Sequence, residues 1–289
     1  MSSPAAIEFA GADGNALRGD LWDGRGHPVI FLHGGGQTRK AWDATARRVA
    51  AAGMRAITVD QRGHGDSDWS DDGDYRFARY AEDAAQIVRQ VAERFHAAPS
   101  GVGASLGGIS LLGAELRSGP MLESLVMVDI VPNMDRAGVS RVQGFMSERL
   151  DDGFATLEDA SDAIAAYLPH RRRPASLDGL AKNLRLGEDG RYRWHWDPAF
   201  MRSDRNINAG AREMMADLMA ALPKLRAPLL LVRGGQSEIV EEATARDFVA
   251  LAPTATYVDV SGAGHMVAGD RNDVFCDAIL EFLTDREAA

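Results

Sequence analysis

Ser105 is the residue whose surroundings most clearly suggest chemistry, because it lies in the glycine-rich stretch GVGASLGGIS at positions 101–110. Gly103 and Gly107 flank it in the pattern G-x-S-x-G. Small neighbours let the backbone turn sharply between a strand and a helix, so that the serine Oγ projects from the turn. The pattern therefore predicts a nucleophilic serine.

Two nucleotide-binding interpretations of the same glycines fail on spacing. Gly101, Gly103 and Gly107 give G-x-G-x-x-x-G instead of G-x-G-x-x-G, and they come a third of the way along the chain. The sequence also lacks a Tyr-x-x-x-Lys pair and the phosphate-loop pattern G-x-x-x-x-G-K-[ST]. A nicotinamide-dependent oxidoreductase is therefore disfavoured.

A nucleophilic serine needs a general base, an orienting acid and donors for the oxyanion that forms. His265 lies in VSGAGHMVAGD, after an apolar strand and among small residues. This position satisfies the chain order serine, acid, histidine. Upstream, FLHGGGQTRKAW follows an apolar strand, and its glycines allow a backbone N–H group to approach a developing oxyanion.

The elements that would position these groups follow from alternating hydrophobic patterns. Short apolar runs predict strands at 27–33, 54–60, 124–129, 228–233 and 255–260. Longer amphipathic segments predict helices at about 40–52, 78–95, 106–117, 239–250 and 270–284. This alternation predicts an α/β fold with a mostly parallel sheet covered by helices on both faces. The opening segment 7–22 predicts a hairpin, with its turn in GADGN.

The alternation stops once, between Pro132 and about Leu222, where the sequence is helical in character and rich in Arg and Met. We expect an insertion over the strand ends, which makes 1–132 and 222–289 the core domain and 133–221 a helical cap. The aromatic stretch RYRWHWDPAFM at 191–201 fits substrate contact and packing of the cap against the core equally well. The candidate substrate-binding residues are Trp194, Trp196, Phe200 and Met266.

Composition excludes several classes of protein. The formal net charge of −10 disfavours nucleic acid as a partner, because phosphates would be repelled. Cys276 is the single cysteine, so an intrachain disulfide and a cysteine metal cage are excluded, and its apolar surroundings predict a buried structural thiol. The sequence shows neither a signal-peptide pattern nor a membrane span, which predicts a cytosolic protein without a membrane partner.

Other polar clusters have structural explanations. His33 and His64 are expected to brace loops. The acidic stretch DSDWSDDGD at 66–74 resembles the start of a calcium loop at Asp68, but the twelfth position is Arg79 instead of a bidentate Glu, so a solvated loop is preferred. The histidines form no metal-binding pattern, and no metal site is predicted.

Five segments appear in an order and at spacings that resemble the α/β-hydrolase superfamily. These segments are HGGGQT, DQRGHGDSD, GASLGG, LLLVRGGQSEIV and GAGHMV. The resemblance covers nearly the whole chain and is to the cap-bearing group of esterases, lactonases, C–C bond hydrolases and cofactor-free haloperoxidase-like enzymes. It implies Ser105 as nucleophile, His265 as general base, and the N–H groups of Gly35 and Leu106 as oxyanion donors, with no cofactor.

The resemblance leaves the acid open between two carboxylates. Glu238 follows the strand LLLVR and is preferred, although the family more often has Asp there; Asp129, at the end of SLVMVD, is the alternative. Ser105 stands where epoxide hydrolases and haloalkane dehalogenases of similar build have Asp, which disfavours those activities.

The sequence thus predicts a serine hydrolase that cleaves a small or medium apolar carboxylic ester or lactone through an acyl-enzyme on Ser105. Two alternatives stay open. The first is a ligand-binding receptor or scaffold that has lost turnover, and the second is a C–C bond hydrolase of a diketone. The sequence carries no signal for the oligomeric state.

Overall fold

An eight-stranded sheet forms the centre of the computed structural model, which describes residues 3–167, 177–265 and 272–287. The strands are β1 (Ala5–Ala10), β2 (Ala16–Trp22), β3 (Pro28–Leu32), β4 (Arg55–Val59), β5 (Ser100–Ala104), β6 (Ser124–Val128), β7 (Leu184–Leu186), β8 (Tyr192–Trp194), β9 (Leu229–Gly234) and β10 (Ala255–Val260). The large sheet has the order β1-β2-β4-β3-β5-β6-β9-β10, and β7 pairs only with β8.

The helices follow the strands in the predicted alternation. They are α1 (Asp43–Ala51), α2 (Phe77–Phe95), α3 (Leu106–Ser118), α4 (Arg136–Ser147), α5 (Leu157–Tyr167), α6 (Asp178–Ala181), α7 (Ala199–Arg202), α8 (Ala211–Ala221), α9 (Glu242–Leu251) and α10 (Cys276–Glu287). Short 3-10 turns at Arg39–Trp42, Leu222–Lys224 and Asn272–Phe275 precede or follow some of them.

The sheet is mostly parallel, which confirms the predicted α/β fold. From β4 to β10 each neighbouring pair is parallel, whereas β1 and β2 form the predicted antiparallel hairpin and β2 is also antiparallel to β4. All five predicted strands are present within about two residues. The carboxyl ends of β3, β5, β6 and β9 therefore meet at one edge of the sheet, where a parallel α/β sheet places its ligand site.

Strand β3 shows why both faces of the sheet are covered. Val29 and Phe31 belong to one buried apolar cluster, and Ile30 and Leu32 belong to another. Alternate side chains of a strand point to opposite faces, so a strand with every side chain buried needs a packed layer on each side. One layer includes residues of α2, α3 and α9, and the other includes residues of α1 and α10.

The segment between β6 and β9 contains the helices α4 to α8 and, in its described part, the β7–β8 hairpin that the sequence analysis missed. The three paired positions of this hairpin are too short a run to stand out as a pattern. Most of the buried apolar side chains described in this segment form one cluster with Tyr75, Tyr80 and Leu106. Helix α8 differs, because Met214 and Leu218 pack into the core cluster of the sheet. The division at 133–221 stays a prediction.

Two further expectations concern single features. Cys276 is buried, as the sequence analysis predicts. Within the described residues, no helix combines the length and the apolar character that crossing a bilayer requires. The short basic run HRRRP at 170–174, for which the sequence favours a solvated face, lies outside the described residues.

Candidate active site

Ser105 occupies the turn between the end of β5 and the start of α3. Its backbone has φ 47° and ψ −114°, a conformation that residues with a Cβ rarely adopt. The Ser105 N–H donates to the carbonyl of Val128 at 3.1 Å, and its own carbonyl accepts from Ile109 at 3.2 Å. The neighbouring strand and the first turn of the helix thus hold the serine in the strained turn that the pattern predicts.

The glycines around Ser105 are required because backbone segments touch one another there. A Cβ at Gly103 would lie 2.4 Å from the Gly107 carbonyl, and a Cβ at Gly107 would lie 2.3 Å from the carbonyl oxygen of Leu32. At Gly108 a Cβ would lie 2.6 Å from the Ile130 side chain. Helix α3 can begin directly against the ends of β3 and β5 only where the side chain is a hydrogen atom.

His265 is oriented by the carboxylate of Asp129. The His265 Nδ1–H donates to Asp129 Oδ2 at 2.8 Å. Asp129 is buried at the end of β6, where its Oδ1 accepts from the Gly234 N–H at 2.9 Å and its Oδ2 accepts from the Ser237 hydroxyl at 2.8 Å. These three donors hold the Asp129 carboxylate in one orientation beside the imidazole. Because Nδ1 is the donor, Nε2 of His265 is left with the lone pair that a general base needs.

The preference for Glu238 as the acid is wrong, since the carboxylate bonded to His265 is the alternative, Asp129. The Glu238 side chain is 37 % exposed and forms an ion pair with Arg141 at 3.2 Å. Helix α4 packs so closely on this loop that a Cβ at Gly138 would lie 2.1 Å from the Glu238 carbonyl oxygen. The loop after β9 therefore directs Glu238 outward along α4, while β6 ends directly beside Gly234.

The two predicted oxyanion donors both lie on the wall of the same cavity as Ser105. In the loop after β3, the Gly34 N–H donates to Gln37 Oε1 at 3.0 Å and the Gly36 N–H donates to His64 Nε2 at 3.1 Å. The Gly35 N–H between them has no acceptor among the described residues. Leu106 is the first residue of α3, so its N–H has no partner within the helix. Among the described residues neither N–H group has an acceptor, which is the condition for donating to an oxyanion.

His33 and His64 brace the loops around the site, in agreement with the prediction. His33 Nδ1–H donates to the Gly34 carbonyl at 2.8 Å and its Nε2 accepts from the Gln61 N–H at 3.0 Å. His64 Nδ1–H donates to the Arg62 carbonyl at 2.9 Å. Both rings are buried, and burial lowers the pKa of His33 to about 4 and that of His64 to about 3. Each is therefore neutral near pH 7 and acts as one donor and one acceptor.

The cavity above Ser105 and His265 encloses about 690 Å³ of space, part of which is open to solvent. Its lining residues are Gly35, Phe77, Ser105, Leu106, Ile109, Ile130, Met134, Val139, Val142, Gln143, Met146, Phe200, Met201, Ile207, Ile239 and His265. Apart from Ser105 and His265, Gln143 is the one polar side chain in this described lining, which includes no Asp, Glu, Lys or Arg. Such a wall suits an uncharged, largely apolar ligand.

Of the three predicted substrate-binding residues that the structure describes, one lies on this cavity. Phe200 lines it, whereas Trp194 packs edge-on against Phe145 and Phe154, and Trp196 lies against His64 and Phe200. The predictions for Trp194 and Trp196 as contact residues are wrong, because Trp194 packs inside the insertion and Trp196 packs between the insertion and the loop at His64. Met266 lies outside the described residues.

Helix α4 contributes lining residues that the sequence analysis missed. Val139, Val142, Gln143 and Met146 follow the spacing i, i+3, i+4, i+7, which places them on one face of the helix. That periodicity was present in the sequence and could have identified them. Which surface this face would cover was not visible until α4 was placed over the strand ends.

The sheet order and the serine turn between β5 and α3 define the architecture of an α/β hydrolase. The chain belongs to this family: the model described as "Alpha/beta hydrolase family" matches residues 29–278. Among solved structures, an α/β hydrolase from Novosphingobium aromaticivorans superimposes with a TM-score of 0.80 at 24% identity, covering 98% of this chain and 99% of that one. This likeness establishes the fold.

Two curated relatives are similar to this chain over most of its length. An esterase of Mycobacterium tuberculosis is 30% identical over 94% of this chain and 87% of its own length, and its solved structure has a TM-score of 0.73 at 27% identity, covering 100% of this chain and 93% of that one. A 2-(acetamidomethylene)succinate hydrolase of Mesorhizobium japonicum is 29% identical over 90% of this chain and 89% of its own length. Both are named as hydrolases, which supports hydrolase activity in this chain.

Proposed function

We propose that this protein is a serine hydrolase that cleaves uncharged, apolar carboxylic esters or lactones through an acyl-enzyme on Ser105. The observation that carries the proposal is the hydrogen bond from His265 to the buried Asp129, because His265 lies on the wall of the cavity that Ser105 also lines. The similarity to a bacterial esterase supports the same class of reaction.

The first half of the reaction forms the acyl-enzyme. His265 Nε2 takes the proton of the Ser105 hydroxyl while Oγ attacks the ester carbonyl carbon. The carbonyl oxygen becomes an oxyanion, to which the N–H groups of Gly35 and Leu106 donate. When the intermediate collapses, the bond to the alkoxy oxygen breaks, and the imidazolium of His265 returns the proton to the departing alcohol.

The second half releases the acid and restores the enzyme. A water molecule gives a proton to His265 Nε2 and attacks the acyl carbon, and the oxyanion forms again between the same two N–H groups. Collapse breaks the bond to Ser105 Oγ, which recovers its proton from His265. Throughout, the Asp129 carboxylate keeps the Nδ1–H in place and stabilises the imidazolium in both halves.

The residues that line the cavity favour a substrate without charge. A carboxylate group would lose its hydration in a described lining that offers no Lys or Arg side chain. One relative is named for a succinate substrate, which has charged groups, whereas the esterase name carries no such requirement. We infer that this chain prefers neutral acyl chains.

Labelling with a fluorophosphonate tests the nucleophile without knowledge of the substrate. The wild type, Ser105→Ala and the control Ser118→Ala, which alters an exposed residue at the end of α3, are treated and the modified peptide is located by mass spectrometry. We expect labelling at Ser105 alone, retained in Ser118→Ala, together with loss of ester turnover only in Ser105→Ala. Turnover that survives Ser105→Ala would overturn the proposal, and a folded wild type that neither labels nor turns over an ester would favour the receptor.

A matched pair of substrates tests the charge preference. Methyl hexanoate and the monomethyl ester of adipic acid offer chains of similar length, and only the second ends in a carboxylate. We expect kcat/KM to be at least about 100-fold higher for the neutral ester, because desolvating an unpaired carboxylate costs several kcal/mol. Equal values would contradict the inference on charge while leaving the serine mechanism intact. A diketone hydrolysed faster than either ester would favour the C–C hydrolase.

A further inference from the structure

The oxyanion loop is held by side chains on either side of Gly35. The Gly34 N–H is bound by Gln37 and the Gly36 N–H by the Nε2 atom of His64. Gly36 has φ 78°, a conformation that glycine adopts without strain. Since peptide groups are planar, fixing the amides before and after Gly35 restricts the direction in which the Gly35 N–H points.

The His64 ring is itself held in a single state. Its Nδ1–H donates to the Arg62 carbonyl at 2.9 Å, so the ring presents a lone pair at Nε2 to Gly36. The side chain is fully buried, and Arg62 is anchored in turn by the buried carboxylate of Asp83 at 2.6 Å. His64 therefore offers Gly36 a rigid acceptor.

The insertion contacts both the backbone and the ring of His64. The His64 backbone forms an antiparallel bridge with Trp196, supported by a hydrogen bond from the Gly65 N–H to the His195 carbonyl at 2.8 Å. Phe200 packs edge-on against the His64 ring, with centroids 5.0 Å apart. Phe200 also lines the cavity, and its ring lies 3.4 Å from where a Cβ of Gly35 would stand.

We propose that His64 is a positioning residue, which couples the insertion segment 195–200 to the Gly35 oxyanion donor by accepting the Gly36 N–H. This inference rests on the proposed hydrolysis at Ser105. His64 does not touch the reacting atoms in this scheme. It keeps the Gly35 N–H directed into the cavity before the oxyanion forms, which is the condition under which such a donor is most effective.

Two substitutions separate this role from simple packing. In His64→Gln the amide oxygen can replace Nε2 as the acceptor for Gly36, whereas in His64→Asn the shorter amide can reach only the Arg62 side of the site. We expect kcat to fall about 10- to 100-fold in His64→Asn, with KM within about threefold, because a misdirected donor weakens the transition state more than the bound ester. In His64→Gln we expect kcat within about threefold of the wild type.

Tyr80→Phe is the matched control. The Tyr80 hydroxyl donates to the same Arg62 carbonyl at 3.3 Å, but it makes no bond to Gly36. Its removal disturbs the same loop and leaves the acceptor of the Gly36 N–H in place. We expect its kcat and KM to match those of the wild type within about twofold.

Amide hydrogen exchange of Gly36, followed by NMR, gives a readout that is independent of activity. We expect protection of the Gly36 amide in the wild type, Tyr80→Phe and His64→Gln, and its loss in His64→Asn. The inference is overturned if His64→Asn keeps the wild-type kcat, if it changes KM instead, or if Gln is no better than Asn. The proposed function fails separately, when wild-type turnover does not depend on Ser105.

Discussion

Two sides of the candidate site are packed differently. We call the ends of β3, β5 and β6 with the start of α3 the floor, and helix α4 the roof. On the floor, the start of α3 approaches the ends of β3 and β5 so closely that backbone atoms leave no room for a Cβ at Gly103 or Gly107. On the roof, α4 presents an apolar face, and a Cβ at Gly144 of that helix would meet nothing within 4 Å. We therefore expect substitutions in the floor to lower the reaction rate and the stability of the fold. We expect substitutions in the roof to change the choice of substrate and to leave the stability nearly unchanged.

The sharpest test of the floor is the carboxylate on His265. In Asp129→Asn the amide cannot accept all three hydrogen bonds that the carboxylate receives from His265, Gly234 and Ser237, and the imidazole loses its fixed tautomer. We expect kcat/KM for a neutral ester to fall by about 10⁴-fold, the scale of such a change in serine hydrolases.

The control substitution lies outside the cavity, where the loop after β9 meets α4. Glu238→Gln removes an exposed ion pair with Arg141, of a kind that contributes at most about 1 kcal/mol. We expect kcat/KM within about twofold of the wild type. If Glu238→Gln lost more activity than Asp129→Asn, the acid would have been assigned to the wrong strand end.

Two glycine substitutions compare packing in the two regions. Gly107→Ala places a Cβ 2.3 Å from the carbonyl oxygen of Leu32, which is backbone and cannot rotate away, so we expect the free energy of unfolding to fall by about 3 kcal/mol. Gly144→Ala lies at an exposed position inside α4, and we expect a gain of about 0.5–1 kcal/mol. Urea unfolding measures both; a loss of equal size at both positions would remove the distinction between floor and roof.

The pH dependence of stability tests the state of His64, which lies between the two regions. Burial is the main reason that the pKa of His64 lies at about 3, with a smaller contribution from His33, whereas the unfolded value is near 6.5. The neutral ring therefore contributes fully above pH 6.5, and this contribution is lost as the pH falls toward 3, since the unfolded chain binds the proton first.

The substitution His64→Gln isolates this effect from other titrating groups. Asp60 and His195 also act on the His64 pKa, but they are present in both proteins. Between pH 6 and pH 4 we expect the free energy of unfolding of the wild type to fall more steeply than that of His64→Gln, by about 1.4 kcal/mol per pH unit. Parallel profiles would mean that His64 is protonated in the folded protein.

The smallest expected effect concerns the roof. Val142→Ala enlarges the apolar cavity without touching the residues that act on the carbonyl. We expect kcat/KM for an acyl chain one methylene longer to improve about fourfold relative to the shorter chain, from the roughly 0.8 kcal/mol of burying one methylene. The exposed Val274→Ala serves as control. A change in kcat on the short chain that exceeds the change in chain-length preference would contradict the division of roles.

The strand and helix positions were accessible to sequence analysis because their hydrophobic periods are strong. The strands β3, β4, β6, β9 and β10 and the β1–β2 hairpin match the predictions within a few residues. Strand β5 is instructive, because SGVGA has poor strand propensity and is nevertheless a central strand. Hydrogen bonding to β3 and β6 on both sides overrides the local preference.

The insertion was less accessible for two physical reasons. The β7–β8 hairpin is three residues long on each side, so its pattern does not exceed chance. Tryptophan has the same hydrophobic signature in a core as in a binding site, so the sequence does not show that Trp194 packs inside the insertion or that Trp196 packs between the insertion and His64.

By itself, the sequence determined the strands of the sheet, the glycines that let α3 meet the strand ends, and the candidates Ser105 and His265. These features depend on the types and the spacing of residues that are close together in the chain. Only the tertiary structure decided between Asp129 and Glu238. Both carboxylates follow strands that end at the same edge of the sheet. Which of them contacts His265 depends on side-chain positions that differ by a few ångströms and that residues far apart in the chain determine. The apolar cavity beside Ser105 likewise depends on the tertiary structure, because one face of α4 forms part of its wall.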